Sequence, residues 1–369
     1  MKTTLIFPPF WSASQPYLSL PCIAAYLKKC GVDVEQIDLN LQIYDYVLSK
    51  KFILKCIERI ENQNNGKRLS AENRDLLEIM CFMSRNIDKY KNIFRSEAAL
   101  DINVYTKCFS MIGSCLSGIS KLYKKETLSF VYYGHKDYSE LRSKDVLRCM
   151  EDVKKGKLKN TLVYELIAPF AERIAIENNL VGISLTGSNQ IIPTYILAAL
   201  LKEKNPNIKI VIGGNIVSRW CPLLQSNTGL FTNVDLYMYG EGEYPFSKLI
   251  DYMQGKIPIQ EVPNILYINE KNKVVMTEDN CYLDINTLPV PIFNKNEIKN
   301  YFSPTVVLPL LASRGCFWGK CSFCDHSYIY HGKYRKRSID LVIEDIKTLV
   351  NEYDCHAINL NYSRQYKHA

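Results

Sequence analysis

Short apolar runs alternate with helical segments near both ends of this chain, and this alternation constrains its fold more than any other feature. Largely apolar runs occur at 3–7, 180–185, 208–212 and 234–239, and a helical pattern covers 191–204. Strands that alternate with helices form a parallel sheet with helices on both faces. The sequence therefore predicts an α/β fold built on a doubly wound parallel sheet.

The first 40 residues contain one complete βαβ unit. The strand at 3–7 stops at Pro8-Pro9, because proline cannot donate to a strand ladder. A helix is predicted over Pro21–Cys30, with Pro21 in its first turn and Gly31 as its C-terminal cap. An alternating pattern over Val32–Leu39 predicts the second strand.

The segments that follow the predicted strands are rich in small residues: FPPFW, TGSNQ, GGN and GEGE. In doubly wound sheets, ligands bind at the carboxyl ends of the strands. We therefore expect these loops to cluster at one sheet edge, where small residues would let a large flat ligand approach the backbone. Ordinary β-to-α turns remain an alternative interpretation.

Residues 41–178 differ from the flanking segments, since they are rich in Lys, Glu, Ile, Leu and Tyr. Helical patches at 44–61 and 71–93 predict a mainly helical insertion. Further along, 264–278 predicts a hairpin that turns at 270–273, and a linker rich in proline continues to Pro304. The predicted organisation is an α/β domain at 1–40 plus 179–262, an insertion at 41–178, a hairpin and linker at 263–304, and a further domain from 305 to 369.

Composition argues against several functional classes. The formal net charge is +8 over 369 residues, with 46 basic and 38 acidic side chains. The densest basic run, 331–337, is interpreted as a solvated loop, and no nucleic-acid partner is expected. Because no apolar stretch reaches about 18 residues and no signal peptide is evident, we expect a cytoplasmic protein with reduced cysteines and no membrane partner.

Three of the 13 cysteines cluster, at Cys316, Cys321 and Cys324. The other ten are isolated and are interpreted as small buried hydrophobic residues. The Cys-x4-Cys-x2-Cys spacing fits zinc with a fourth ligand from His326 or His331. It fits equally an iron–sulfur cluster with one open iron.

Two further interpretations of the cluster are weaker. A redox pair of Cys321 and Cys324 would leave Cys316 unexplained. A chance grouping in a cysteine-rich chain is also possible. Spacing alone leaves zinc and iron–sulfur equally open.

The segment RGCFWGKCSFCD at 314–325 resembles the cluster loop of radical S-adenosylmethionine (SAM) enzymes that carry an N-terminal cobalamin-binding domain. The upstream stretches LIFPPFWSASQPYLSLPCIAAYLKKCG, VGISLTGSNQ, VIGGN and YGEGE resemble the cobalamin domain of the same family. The resemblance covers about 1–40 and 180–355. The common spacing in the superfamily is Cys-x3-Cys-x2-Cys, so this chain has one extra residue in the first gap.

The resemblance implies that Cys316, Cys321 and Cys324 ligate a [4Fe-4S] cluster whose open iron binds SAM. Reduction of the cluster would then yield a 5′-deoxyadenosyl radical, for methyl transfer or radical rearrangement of an unidentified small-molecule or peptide substrate. An electron donor such as a flavodoxin or ferredoxin is also implied. By analogy Phe323 packs near the adenine of SAM, and a hydrophobic plug over the cluster is an equal alternative.

For cobalamin, the resemblance implies contacts from backbone and small side chains at the strand ends. The chain lacks an Asp-x-His-x-x-Gly motif, so no histidine ligand to cobalt is expected. Glu241 and Glu243 would serve equally to cap the helix that begins near Tyr244. The implied contacts are Ser184, Leu185, Thr186, Gly187, Gly213, Gly214, Gly240, Glu241 and Gly242.

The predicted C-terminal domain is short. Only 54 residues run from Cys316 to Ala369, whereas a full βα barrel needs roughly 250. They are expected to form a helix over Ile339–Tyr353, capped by Ser338, and a strand at 356–360. We therefore expect the N-terminal part of a radical SAM domain, truncated and inactive alone. Alternatives are a cobalamin-binding module with a vestigial cluster loop, or a zinc-stapled interaction protein.

Overall fold

The computed structural model describes residues 2–62, 69–278, 282–322, 324, 329–330 and 332–361. Among the described helices, none combines the length and apolar character that a membrane span requires. The elements are, in chain order, β1 (Thr3–Phe7), α1 (Ser19–Lys29), β2 (Glu35–Asp38), α2 (Leu39–Val47), α3 (Lys50–Asn62), α4 (Ala71–Phe94), α5 (Ile102–Leu122), β3 (Glu126–Leu128), β4 (Tyr133–His135), α6 (Ser143–Lys154), α7 (Leu162–Glu177), β5 (Leu180–Ser184), α8 (Ile191–Lys204), β6 (Lys209–Gly213), α9 (Asn215–Ser226), β7 (Leu236–Met238), α10 (Glu243–Met253), β8 (Ile265–Ile268), β9 (Val274–Met276), β10 (Val307–Leu311), β11 (Ser313–Arg314), β12 (Arg335–Lys336), α11 (Ile339–Tyr353) and β13 (Ala357–Asn361).

The largest sheet has the strand order β2-β1-β5-β6-β7-β8-β9. Its first five strands pair in parallel, and β8 and β9 add an antiparallel hairpin at one edge. The predicted doubly wound α/β fold is confirmed. The hairpin predicted at 264–278 extends this sheet instead of standing apart from it.

Alternate residues of the strands bury on opposite faces of the sheet, which explains why the strand sequences are apolar throughout. On β1, Ile6 packs into the core beneath α8 and α9. Leu5 and Phe7 pack into a second core beneath α1 and α10. Helix α8 is buried along residues 191–201, as its apolar circumference predicts.

Between β2 and β5, the described residues form six α-helices, α2 to α7, and the antiparallel pair β3–β4. The helical patch predicted at 44–61 is divided, because α2 ends at Val47 and α3 begins at Lys50. The β3–β4 pair was not predicted, since three-residue strands leave too short a pattern to recognise.

The C-terminal segment forms its own small core. Strands β10 and β13 pair in parallel, and α11 packs against them through Leu349 and Tyr353. Ser338 caps α11 as predicted, because its hydroxyl accepts a hydrogen bond from the Leu341 N–H. The Phe293 N–H donates a 3.0 Å hydrogen bond to the Tyr353 hydroxyl, which ties this core to the linker.

Candidate functional site

A cavity of about 530 Å³ lies at the carboxyl edge of the large sheet. The ends of β5, β6 and β7 form one side of it, and α1 forms another. The side facing the sheet edge is formed by β10 and β11, which lead into the cysteine loop. The cavity thus lies between the two sequence features that the resemblance singled out.

Most of the residues implied as cofactor contacts line this cavity. Leu185 and Gly187 are not among its lining residues, and Phe323 lies outside the described residues. The implied residues that do line it are Ser184, Thr186, Gly213, Gly214, Gly240, Glu241 and Gly242.

Leu185 and Gly187 make their contacts outside the cavity. Leu185 is fully buried, and its N–H donates a 2.7 Å hydrogen bond to the Gly213 carbonyl. A side chain at Gly187 would collide with the ring of Trp11, so this glycine lies behind a residue that does line the cavity. The alternation of side chains between the two faces of a strand could not predict these positions, because Leu185 and Gly187 both come after the end of β5.

The backbone turn at the end of β6 requires a glycine at position 214. The φ of Gly214 is +103°, a conformation that favours glycine, and a Cβ there would collide with the Leu185 carbonyl. Gly213, Gly214, Gly240 and Gly242 line the cavity without side chains of their own, and this glycine cradle suits a ligand that approaches the backbone closely.

An aromatic wall borders the cavity on the side of the loop after β1. Tyr17 stacks on Phe7 with ring centroids 4.8 Å apart, and Trp11 meets Tyr17 edge-on at 6.0 Å. Trp11 and Tyr17 both line the cavity. The FPPFW stretch was expected at this edge, whereas Tyr17 was not predicted, because the intervening loop has no periodicity.

The cysteine loop begins where β11 ends. Cys316 is half-buried, and Cys321 and Cys324 are exposed. The Cys324 N–H donates a 3.2 Å hydrogen bond to the Cys321 carbonyl, which closes a tight turn. Within the described ranges, no three His, Cys, Asp or Glu side chains are gathered closely enough to hold a metal ion. His326 and His331, the candidate fourth zinc ligands, lie outside those ranges.

The other cysteines follow the predicted role only in part. No disulfide joins any of the described cysteines. Residues such as Cys56 and Cys115 are buried as predicted, but Cys30 is exposed at the end of α1, where the prediction was wrong. Cys22 lines the cavity, and burial followed by the nearby Glu243 carboxylate raises its pKa to about 12.

Four charged side chains connect the sheet edge to the cysteine loop, and we call them the buried charge network: Glu241, Glu243, Arg314 and Arg335. Arg314 lies 2.8 Å from a carboxylate oxygen of Glu241 and forms a second ion pair with Glu243. Arg335 pairs with the other oxygen of Glu241. Arg314 and Glu243 are 9% and 3% exposed, so water screens these charges weakly.

The buried charge network corrects the prediction that Glu243 caps a helix. Helix α10 begins at Glu243, yet its N-cap is Gly242 and no side chain caps it; the Glu243 carboxylate pairs with Arg314 instead. Burial by itself lowers the pKa of Arg314, but the charge and hydrogen bond of Glu243, together with Cys22 and Tyr330, raise that pKa above its ordinary value, so the guanidinium stays charged.

The basic run at 331–337 is a solvated loop only in part, because Gly332, Lys333 and Lys336 are exposed whereas its arginines are paired. Arg335 belongs to the buried charge network, and its guanidinium lies 5.2 Å from the Tyr282 ring centre. Arg337 is buried and binds Asp345 through Nε at 2.6 Å and Nη2 at 3.0 Å. Sequence composition alone cannot distinguish paired from solvated arginines. The partner of Arg335 lies 94 positions away, and no local pattern marks Asp345 as the partner of Arg337.

Comparisons with known proteins bear on the fold of this chain. No protein-family model matches the chain. It is 26% identical over 185 residues to an uncharacterised methyltransferase of Pyrococcus horikoshii, covering 47% of this chain and 37% of that protein. It is 25% identical over 225 residues to the cytidylyl-2-hydroxyethylphosphonate methyltransferase of Streptomyces wedmorensis, covering 52% and 41%. The chain thus matches about two fifths of the length of these relatives.

The structure of OxsB, a cobalamin-dependent SAM radical enzyme with aqua-cobalamin and SAM bound, superposes with a TM-score of 0.51. The match covers 97% of this chain and 33% of OxsB, at 15% sequence identity. The chain has the fold of the corresponding part of a cobalamin-dependent radical SAM enzyme. This confirms the resemblance of the sequence at the level of fold.

The residues of this radical SAM-like fold suit the two cofactors in different ways. The glycine cradle and open cavity at the sheet edge suit a large flat ligand such as a corrin. Three thiols in one partly exposed loop supply the soft donors that an iron–sulfur cluster needs. The donor set fits the cluster, although the three thiols are not gathered at metal-binding distances.

Proposed function

We propose that this chain binds cobalamin in the sheet-edge cavity and a [4Fe-4S] cluster with SAM at the cysteine loop, and that these sites serve methyl transfer. Cys316, Cys321 and Cys324 are the proposed cluster ligands. The cluster supplies an electron to SAM, and cobalamin supplies a methyl-carrying metal; the chain holds both and shields them.

One observation carries the proposal. The cavity lined by the strand-end glycines is closed on its other side by the strands that lead into the cysteine loop. Cys316 lies two residues after Arg314, whose side chain lines the cavity. The cysteine loop therefore begins at the border of the cavity, as a reaction between the two cofactors requires.

Methyl transfer is preferred over radical rearrangement because the curated relatives named above are methyltransferases. A third relative, the hopanoid C-3 methylase of Methylococcus capsulatus, is 26% identical over 154 residues. The two relatives whose names include a substrate, a cytidylyl phosphonate and a hopanoid, differ in substrate chemistry, so the proposal names no substrate class. A flavodoxin or ferredoxin is the proposed electron donor.

The test is anaerobic purification followed by reconstitution with iron and sulfide. We expect the broad charge-transfer absorbance of a [4Fe-4S] cluster and about four irons per chain, as one cubane cluster requires. Titration with cyanocobalamin should show saturable binding. Stoichiometric zinc without iron, or soluble protein with no metal, would contradict the cluster.

The matched control is the exposed Cys30, which lies outside the loop. Cys30→Ala should keep the iron, whereas a variant with Cys316, Cys321 and Cys324 all changed to Ala should lose it. Cobalamin binding in that triple variant separates the two cofactors, because the glycine cradle is unchanged.

A second candidate is a cobalamin-binding module that carries no cluster. The composition of the cavity supports it, because none of the three loop cysteines is among the lining residues. This candidate predicts cobalamin binding with no iron after reconstitution.

A further inference from the structure

We infer that Arg314 is a positioning residue that couples occupancy of the cavity to the placement of the cysteine loop. The inference rests on the proposed function, because it concerns the same two sites. It assigns to the buried charge network a role beyond stability, and its test does not require turnover.

The network joins two segments that are remote in sequence. Glu241 and Glu243 alternate with Gly240 and Gly242, which line the cavity after β7. Arg314 reaches them from β11, 71 positions after Glu243. Any movement of the glycine loop therefore moves the carboxylates to which the start of the cysteine loop is anchored.

The connection from Arg314 to Cys316 is short and stiff. Gly315 has a φ of +79°, and its Cα lies so close to the Lys333 carbonyl that a Cβ would collide with it. Arg335, two residues after Lys333, holds Glu241 from the other side. Both strands of the β11–β12 pair are thus fixed to the same carboxylate.

The charges of the network balance, with two guanidinium groups and two carboxylates in a largely buried site. Separating such a pair leaves an uncompensated buried charge, which is strongly unfavourable. The loop therefore has one favoured position against the cavity. A ligand that binds this arrangement better than one with the ion pairs separated increases the population of this arrangement.

The coupling is reciprocal by thermodynamic necessity. A corrinoid in the cavity should slow exposure of Cys316, and a loaded cysteine loop should tighten corrinoid binding. Cys316 is a suitable reporter because it is half-buried, whereas Cys321 and Cys324 are already exposed.

The experiment measures the alkylation rate of Cys316 by maleimide, read from its peptide by mass spectrometry, with and without saturating cyanocobalamin. In the unaltered chain we expect cyanocobalamin to slow alkylation about fivefold or more, the lower end of typical coupling. In Arg314→Gln this protection should disappear. Arg314→Lys keeps the charge but not the two-pronged geometry, so this variant should retain part of the protection.

The matched control is Arg337→Gln. Arg337 also forms a buried two-pronged pair, with Asp345, but neither residue lines the cavity. The Arg337→Gln variant should lower the melting temperature as Arg314→Gln does, but cyanocobalamin should still protect Cys316 in it. Equal protection in Arg314→Gln, Arg337→Gln and the unaltered chain would overturn the inference.

The failure of the proposed function has a different signature. If the unaltered chain binds no cyanocobalamin at all, the cavity assignment fails before the coupling is measured. If Arg314→Gln is insoluble, Glu243→Gln replaces it, because Glu241 still pairs with Arg314 in that variant. Protection that is undiminished in soluble Glu243→Gln and in Arg314→Lys would equally overturn the inference.

Discussion

The Tyr301 hydroxyl donates a 2.6 Å hydrogen bond to the Asp38 carboxylate, across 263 positions of sequence. Asp38 is the last residue of β2 and also caps α2, because its other oxygen accepts a 2.8 Å hydrogen bond from the Leu41 N–H. The pair joins the first βαβ unit to the linker before β10. The Asp38 carboxyl group is buried, and none of the groups that shift its pKa is basic.

The unfolding free energy should depend on pH through Asp38. Burial raises the pKa of this carboxyl to about 7, while the Tyr301 and Leu41 hydrogen bonds lower it and Glu297 raises it. Because the folded state holds the proton more tightly, this contribution to stability is complete below the unfolded pKa near 3.8 and is lost as the pH rises through about 7.

The unaltered chain should therefore lose melting temperature relative to Asp38→Asn as the pH is raised from 4 to 8, because the asparagine has no proton to lose. The control is Asp101→Asn, since Asp101 caps α5 in the same way but lies exposed. A difference between Asp38→Asn and the unaltered chain that stays constant with pH would contradict the raised pKa.

Gly315→Ala should displace the cysteine loop. The left-handed backbone alone costs about 1–2 kcal/mol for alanine, and the added Cβ also meets the Lys333 carbonyl. Gly255→Ala is the control, because Gly255 has a similar φ of +73° with open space around it. We expect faster alkylation of Cys316 in the first variant only, measured by mass spectrometry.

Glu126→Ala should destabilise the insertion. The Glu126 carboxylate accepts hydrogen bonds from the Leu162 and Val163 N–H groups at the start of α7 and from the Tyr133 hydroxyl. Its loss leaves buried donors without a partner and should cost about 2 kcal/mol.

Denaturant unfolding of the Glu126→Ala variant provides the measurement. Glu151→Ala is the control, because Glu151 is an exposed carboxylate paired only with Lys155 one helical turn away. Equal unfolding midpoints for the two variants would show that Glu126 does not hold α7.

Each loop cysteine should be required for iron. Cys321→Ala leaves two thiols, which cannot hold a cubane cluster with one open iron, so iron after reconstitution should fall to background. Iron analysis and absorbance check this, with Cys30→Ala retaining the full amount. Retention of iron in Cys321→Ala would exclude Cys321 as a ligand.

The strands and helices could be predicted where periodicity is strong and local. The runs that form β1, β5 and β6 bury residues on both faces of the sheet, which indicates strands. Ser338 is a typical N-cap residue and indicates the start of α11. The β3–β4 pair could not be predicted, because three-residue strands are specified by their neighbours and not by their own pattern.

The candidate site could be predicted from the sequence only in part. Glycines and small residues after the strands indicated the cavity edge, because the carboxyl ends of parallel strands meet there. Sequence could not indicate that Leu185 and Gly187 face away from the cavity, since that depends on a backbone turn and on the position of Trp11.

The sequence by itself determined the alternating strands and helices, the glycine-rich strand ends and the grouping of three thiols, because each depends on residues close together in the chain. Only the tertiary structure decided that Glu241 and Glu243 bind Arg314 and Arg335 instead of water or a helix end. Ion pairs between remote residues have no local pattern, and burial alone makes them strong enough to fix one loop against another.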